Sequence, residues 1–155
     1  MPRVNSDALR DLPFLRDVSG DVLRTLARVA RQREYQPGDV ILQEGTLGRE
    51  WFVIQSGLVE IVRGEGSDAV ALAERGPGEF FGEMALLEAR SRFATVRAVR
   101  PTRLIEFSGE DLYAVLAEQP LLLFETARVL MARLRESDLR MIGGLQRKNL
   151  SLIHI

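Results

Sequence analysis

The chain has 155 residues, 46% apolar and 28% charged, with 21 basic against 22 acidic side chains and a net charge of −1 at pH 7. That is the composition of one folded domain with a real core, and the lack of a basic excess argues against nucleic acid as a direct ligand. With no cysteine and a single histidine, His154, the sequence excludes disulfides, cysteine-based metal or redox sites, and a jelly-roll metal enzyme, which needs clustered histidine and carboxylate ligands.

The first residues are polar and no apolar run reaches bilayer length, so a cytoplasmic protein with neither signal peptide nor membrane span is expected. Leu9, Leu12, Phe14 and Leu15 form a short apolar clip broken by Pro13. Next, Val18, Val22, Leu26 and Val29 recur at helical spacing, with Leu23 and Ala30 on one side. Ser19 is placed to cap that helix, and Asp21 suits its positive end.

From Tyr35 to Phe107 glycines punctuate short β-rich runs: Val40–Gln43, Trp51–Gln55, Leu58–Val62, Ala69–Ala73, Ala94–Val99 and Arg103–Phe107. Such spacing reads as an antiparallel sandwich or barrel. Residues 64–68, Gly-Glu-Gly-Ser-Asp, read as a hairpin loop. Helical periodicity returns after Phe107, with Ser108 as N-cap, Asp111 at the capping-box position, and Leu112, Val115 and Leu116 as the apolar stripe. Pro120 interrupts, a longer helix is expected from about Leu121 towards Met141, and Gly143-Gly144 should end it.

The segment richest in chemistry is Phe80-Phe81-Gly82-Glu83-Met84-Ala85-Leu86-Leu87, followed by Arg92-Phe93-Ala94-Thr95-Val96. Gly82 lets backbone approach a ligand, and a short helix from Glu83 would aim free N–H groups at an anion. Glu83 repels phosphate but accepts from a sugar hydroxyl. Arg92 can pair with two phosphate oxygens. Together these groups suit a ribose phosphate.

This segment resembles the phosphate-binding cassette of cyclic-nucleotide-binding domains, the family of bacterial catabolite activators, regulatory subunits of cAMP-dependent protein kinase and cyclic-nucleotide-gated channels. The glycine-marked runs Gln36–Ile41, Glu44-Gly45 and Trp51–Val59 extend the resemblance over roughly residues 10 to 140. It implies a mainly β fold with flanking helices, an antiparallel β-roll of the jelly-roll kind, within one domain. Residues 1–33 would form an N-terminal helical segment, 34–107 the roll with its cassette at 80–96, 108–142 the hinge and lid helices, and 143–155 a tail.

The resemblance further implies a regulatory sensor, not an enzyme, with no catalytic residue, metal or cofactor. The ligand would be a cyclic mononucleotide, cAMP in preference to cGMP. Phe81, Gly82, Glu83, Met84, Ala85, Arg92, Phe93 and Ala94 would bind it. Glu83 would hold the ribose 2′-hydroxyl and Arg92 the exocyclic phosphate oxygen. Backbone N–H groups of Gly82, Met84, Ala85 and Phe93 would complete the nest. Arg133 and Ser137, four residues apart on one helix face, are the lid candidates. Phe93 stands where the family carries a small residue; it offers no hydroxyl and is expected to weaken capture.

Arg90 offers an alternative register, which Ala94-Thr95-Val96 disfavours. A homodimer through the C-terminal helix, along Ala127, Leu130 and Leu134, and an output domain outside this chain are further expectations. The stretch from Gly144 to Ile155 is too short for a helix-turn-helix module. The alternative reading is a degenerate roll without ligand, serving dimerisation or docking.

Overall fold

A computed structural model describes residues 4–12, 15–16, 18–82, 91–121, 123–124, 127–128 and 131–132, with backbone alone at Leu116. Several residues singled out above lie outside this set: Pro13, Phe14, Glu83, Met84, Ala85, Arg90, Leu130, Arg133, Leu134, Ser137, Met141, Gly143 and Gly144.

The chain opens with helix α1 (Ser6–Arg10), capped by Asn5, whose side chain accepts from the Asp7 N–H at 2.8 Å. Leu9, Leu12 and Leu15 are buried, as a clip requires. Helix α2 (Gly20–Val29) starts at the expected cap: Ser19 Oγ accepts from Val22 N at 3.4 Å, with Asp21 in the first turn. Its inward face is set by Leu23 and Leu26.

Strand β1 (Ala30–Tyr35) follows at once and so begins inside the stretch assigned above to N-terminal helices, residues 1–33. Ala-Arg-Gln-Arg-Glu-Tyr carries little strand propensity of its own. Antiparallel pairing along its whole length with β8 (Thr102–Ser108), from Ala30↔Phe107 to Tyr35↔Thr102, overrides that. The remaining strands are β2 (Val40–Leu42), β3 (Glu50–Ser56), β4 (Val59–Arg63), β5 (Val70–Arg75), β6 (Phe80–Phe81) and β7 (Thr95–Ala98). The loop between β4 and β5 holds one 3-10 turn, Gly66–Asp68, where the hairpin loop was expected. The two-residue β6, inside the cassette, is a strand the periodicity does not announce.

Two four-stranded antiparallel sheets result, with orders β1-β8-β3-β6 and β2-β7-β4-β5. Phe52, Ile54, Phe81 and Leu104 from the first meet Val59 and Val96 from the second in one buried cluster. Tyr35, Ile41, Leu42 and Ile61 pack against it. The mainly β, antiparallel roll inferred from the sequence is therefore the observed fold. On the other face of the first sheet Trp51 meets Phe80 edge-on at 5.4 Å and Phe107 at 5.6 Å.

Helix α3 (Gly109–Glu118) leaves β8 directly, and Ser108 Oγ accepts from Asp111 N at 3.5 Å, as the capping pattern anticipates. Among its described side chains Leu112 and Val115 are buried. The chain divides into two compact units, Met1–Glu118 and Gln119–Ile155. In the second, the described residues from Pro120 to Ala132 are helical, and Leu123 N donates to Gln119 O at 3.0 Å. Among the described residues no helix is long and apolar enough to cross a membrane.

Candidate ligand-binding site

Among the described residues Arg92 is the one buried arginine, its side chain only 6% exposed. A guanidinium is always charged, so burial demands acceptors. Nη2 donates to the backbone carbonyl of Glu50 and to Glu50 Oε2, each at 3.0 Å. Nη1 reaches the carbonyl of Gly82 at 3.5 Å. Glu50 itself is half-exposed. The arginine thus has a counter-charge that water can also reach.

Two glycines make room for this arrangement. Gly82 has φ +84°, and a Cβ there would stand 2.9 Å from Glu50 O and 3.3 Å from Arg92 Nη1. A Cβ on Gly48 would meet Arg92 Nη2 at 2.8 Å and Glu50 Oε2 at 2.9 Å. Both positions need glycine because a guanidinium passes where a side chain would begin.

The backbone of Arg92 is equally fixed. Its N–H donates to Thr46 O at 2.7 Å and its carbonyl accepts from Gly45 N at 2.9 Å, while Leu47 and Ser91 form an isolated bridge. Thr95 Oγ1 accepts from Glu44 N at 3.0 Å and Gln43 Nε2 at 3.3 Å, and Glu44 in turn accepts from Gly64 N at 2.9 Å. The 43–48 loop, the end of β4 and the start of β7 are therefore tied around one arginine.

The expected site residues divide. Gly82 and Arg92 come together. Phe81 is 3% exposed and stacks on Phe52 with centroids 5.1 Å apart, so its side chain belongs to the core. Ala94 is buried. Phe93 is 62% exposed, and the Arg63 guanidinium carbon stands 4.3 Å from its ring centroid. Such a contact at an exposed site contributes about 0.5–1 kcal/mol. Glu83, Met84, Ala85, Arg133 and Ser137 lie outside the described residues.

Sequence reasoning missed Glu50, Gly48 and Arg63. Glu50 precedes an apolar strand with nothing local to tie it to Arg92. Gly48 reads as an ordinary turn glycine. Arg97 and Arg103 form surface pairs with Glu60 at 3.0 Å and Glu34 at 3.1 Å.

Two antiparallel sheets closing on a buried arginine between two glycines define a β-roll domain with an interior cation beside a backbone turn. Residues 32–119 match the cyclic nucleotide-binding domain family, and the chain belongs to that family. It is 38% identical over 112 residues to the cyclic AMP receptor protein of Thermus thermophilus, covering 72% of this chain and 52% of that protein. It is 33% identical over 117 residues to human potassium/sodium hyperpolarization-activated cyclic nucleotide-gated channel 4, covering 74% of this chain and 9% of the channel. The chain thus spans about half of the first relative (52%) and a small part of the second (9%). Among solved structures, a cyclic nucleotide-binding domain from Methylobacillus flagellatus superposes with TM-score 0.75 at 26% identity, over 89% of this chain and 80% of that one. The Thermus thermophilus catabolite activator protein gives 0.72 at 34% identity, over 83% and 61%.

Proposed function

We propose that this chain is a sensor that binds a cyclic mononucleotide, with the phosphate on Arg92. The observation that carries the reading is the buried Arg92 guanidinium, held between Gly48 and Gly82 with a half-exposed carboxylate as its only described ionic partner. Phosphate can replace that carboxylate as the anionic acceptor of the guanidinium N–H groups. In this reading Glu83 accepts from the ribose 2′-hydroxyl, and the N–H groups of Gly82, Met84, Ala85 and Phe93 complete the phosphate nest. Phe93 offers no hydroxyl to a guanine amino group, which supports cAMP over cGMP, as does the name of the Thermus relative. Occupancy is relayed by the C-terminal helix through Arg133 and Ser137 to an output domain or a second copy, in the cytoplasm. The chemistry is binding, not catalysis.

Calorimetry with cAMP and cGMP tests this on the wild type, Arg92→Ala and Arg90→Ala. The expected result is binding that Arg92→Ala reduces by about 2–5 kcal/mol, because a desolvated phosphate loses its partner. Loss in Arg90→Ala alone would move the phosphate to the other register. The Glu50–Arg92 pair favours a second reading, a roll that satisfies its arginine internally and takes no ligand. Absence of binding by the wild type selects it.

A further inference from the structure

The side chains of Arg63 and Phe93 take no part in the phosphate site, yet the pair follows it directly in the chain. Phe93 is the residue after Arg92, and its ring is 62% exposed, unlike the buried rings of Phe52, Phe80, Phe81 and Phe107. Arg63 ends β4 and is itself exposed. The β4–β7 register, Ile61↔Val96 and Val62↔Thr95, brings the end of β4 level with residues 93 and 94. Strand alternation puts Arg63 on the same face of β4 as Val59 and Ile61, the face turned to the roll's core cluster. The guanidinium lies over the ring at 4.3 Å.

We infer that Arg63 and Phe93 form a stacking shelf for the base of the nucleotide whose phosphate rests on Arg92, and that this shelf makes the site selective for purines. The inference rests on the phosphate assignment above. A flat guanidinium backed by an aromatic ring is a surface on which a base stacks, and such stacking uses the π-face rather than edge hydrogen bonds. A two-ring purine covers more of that surface than a one-ring pyrimidine. Phe93 is then a specificity-determining residue and strengthens capture, the reverse of the weakening its size suggests in the sequence.

The test titrates cAMP, cCMP and the base-free ribose 3′,5′-cyclic phosphate into wild type, Phe93→Ala, Arg63→Ala, Arg63→Lys and Arg92→Ala. Both shelf residues are exposed, so the variants should lose only the pair's own contact, a fall of about 1–3 °C in melting temperature, which is measured alongside. Phe93→Ala and Arg63→Ala should weaken cAMP about tenfold or more, in the range of one lost base stack. They should compress the cAMP-to-cCMP ratio and weaken the base-free ligand far less than cAMP, since Phe93→Ala keeps the backbone N–H of the nest. Arg63→Lys keeps the charge but loses the plane, and should behave as Arg63→Ala. If Arg63→Lys restores wild-type affinity, or the base-free ligand weakens in parallel, the pair acts by charge or through the fold and the shelf is wrong. If cAMP binds and neither shelf variant changes it, the shelf alone falls. If Arg92→Ala binds all three as wild type while the shelf variants lose cAMP, the phosphate assignment falls, and with it the shelf as a partner of Arg92. A wild type that binds none of the three overturns both.

Discussion

Arg92 and Glu50, 42 positions apart in sequence, meet inside the roll: one arginine nitrogen donates at 3.0 Å both to the carboxylate and to the backbone carbonyl of the same glutamate. The backbone contact persists whatever stands at position 50, whereas the carboxylate is the part a ligand must displace or share. Glu50 is 47% exposed and Arg92 6%, so the pair belongs neither to the open surface nor to the dry interior. Its net contribution falls between those limits, about 1–2 kcal/mol.

Glu50→Gln keeps the shape and removes the charge. The free protein should lose about 1 kcal/mol, a fall of about 3 °C in Tm for a domain of this size. A saturating cyclic nucleotide should then raise Tm by more than it does in the wild type, since phosphate no longer competes with a carboxylate for Arg92. Thermal melts with and without cAMP decide this. A smaller ligand shift in Glu50→Gln would mean that Glu50 holds Arg92 in its binding geometry instead of competing for it.

Gly82 and Gly38 separate backbone strain from close approach. Their φ values, +84° and +90°, are nearly equal, but nothing lies within 4 Å of a Cβ on Gly38, while one on Gly82 meets Glu50 O at 2.9 Å and Arg92 Nη1 at 3.3 Å. Gly38→Ala should cost about 1 kcal/mol, the left-handed penalty alone. Gly82→Ala should cost about 2–3 kcal/mol, with Arg92 pushed off its carbonyls. Denaturant melts of the two variants measure the difference. Equal losses would show that the backbone at Gly82 yields and the site is not tightly packed.

Tyr35 gives the fold a sensitivity to alkaline pH. Burial raises its phenol above the ordinary value of 10.0, and the nearby Glu106 carboxylate adds to the effect. The fold therefore favours the neutral ring, which packs against the core cluster. The resulting stability is present in full below about pH 10 and is lost as the pH rises through the raised value. Tyr35→Phe has no proton to lose. Its stability relative to wild type should improve between pH 9 and pH 11.5, read from urea midpoints at each pH. A constant difference across that range would place the phenolate in solvent without cost.

What the linear chain determines here is whatever depends on neighbours within a few residues. Ser19 and Ser108 are legible as caps because a cap bonds an N–H three residues on. Apart from β6, the strands between Val40 and Phe107 are legible because alternation and glycine turns are local patterns. The ordered cassette motif reveals the family because its residues lie close together in sequence. β1 is invisible to such reading: its partner β8 lies some seventy residues away, as in Arg33↔Leu104, and pairing overrides a helix-favouring composition. Glu50 beside Arg92 and Arg63 over Phe93 are likewise tertiary: closure of the two sheets brings β3 to the start of β7, and the β4–β7 register brings the end of β4 there. Burial of a charge is itself a tertiary property. Arg92 and Arg97 are the same residue type five positions apart; closure of the two sheets sets one inside against Glu50 and leaves the other half-exposed against Glu60.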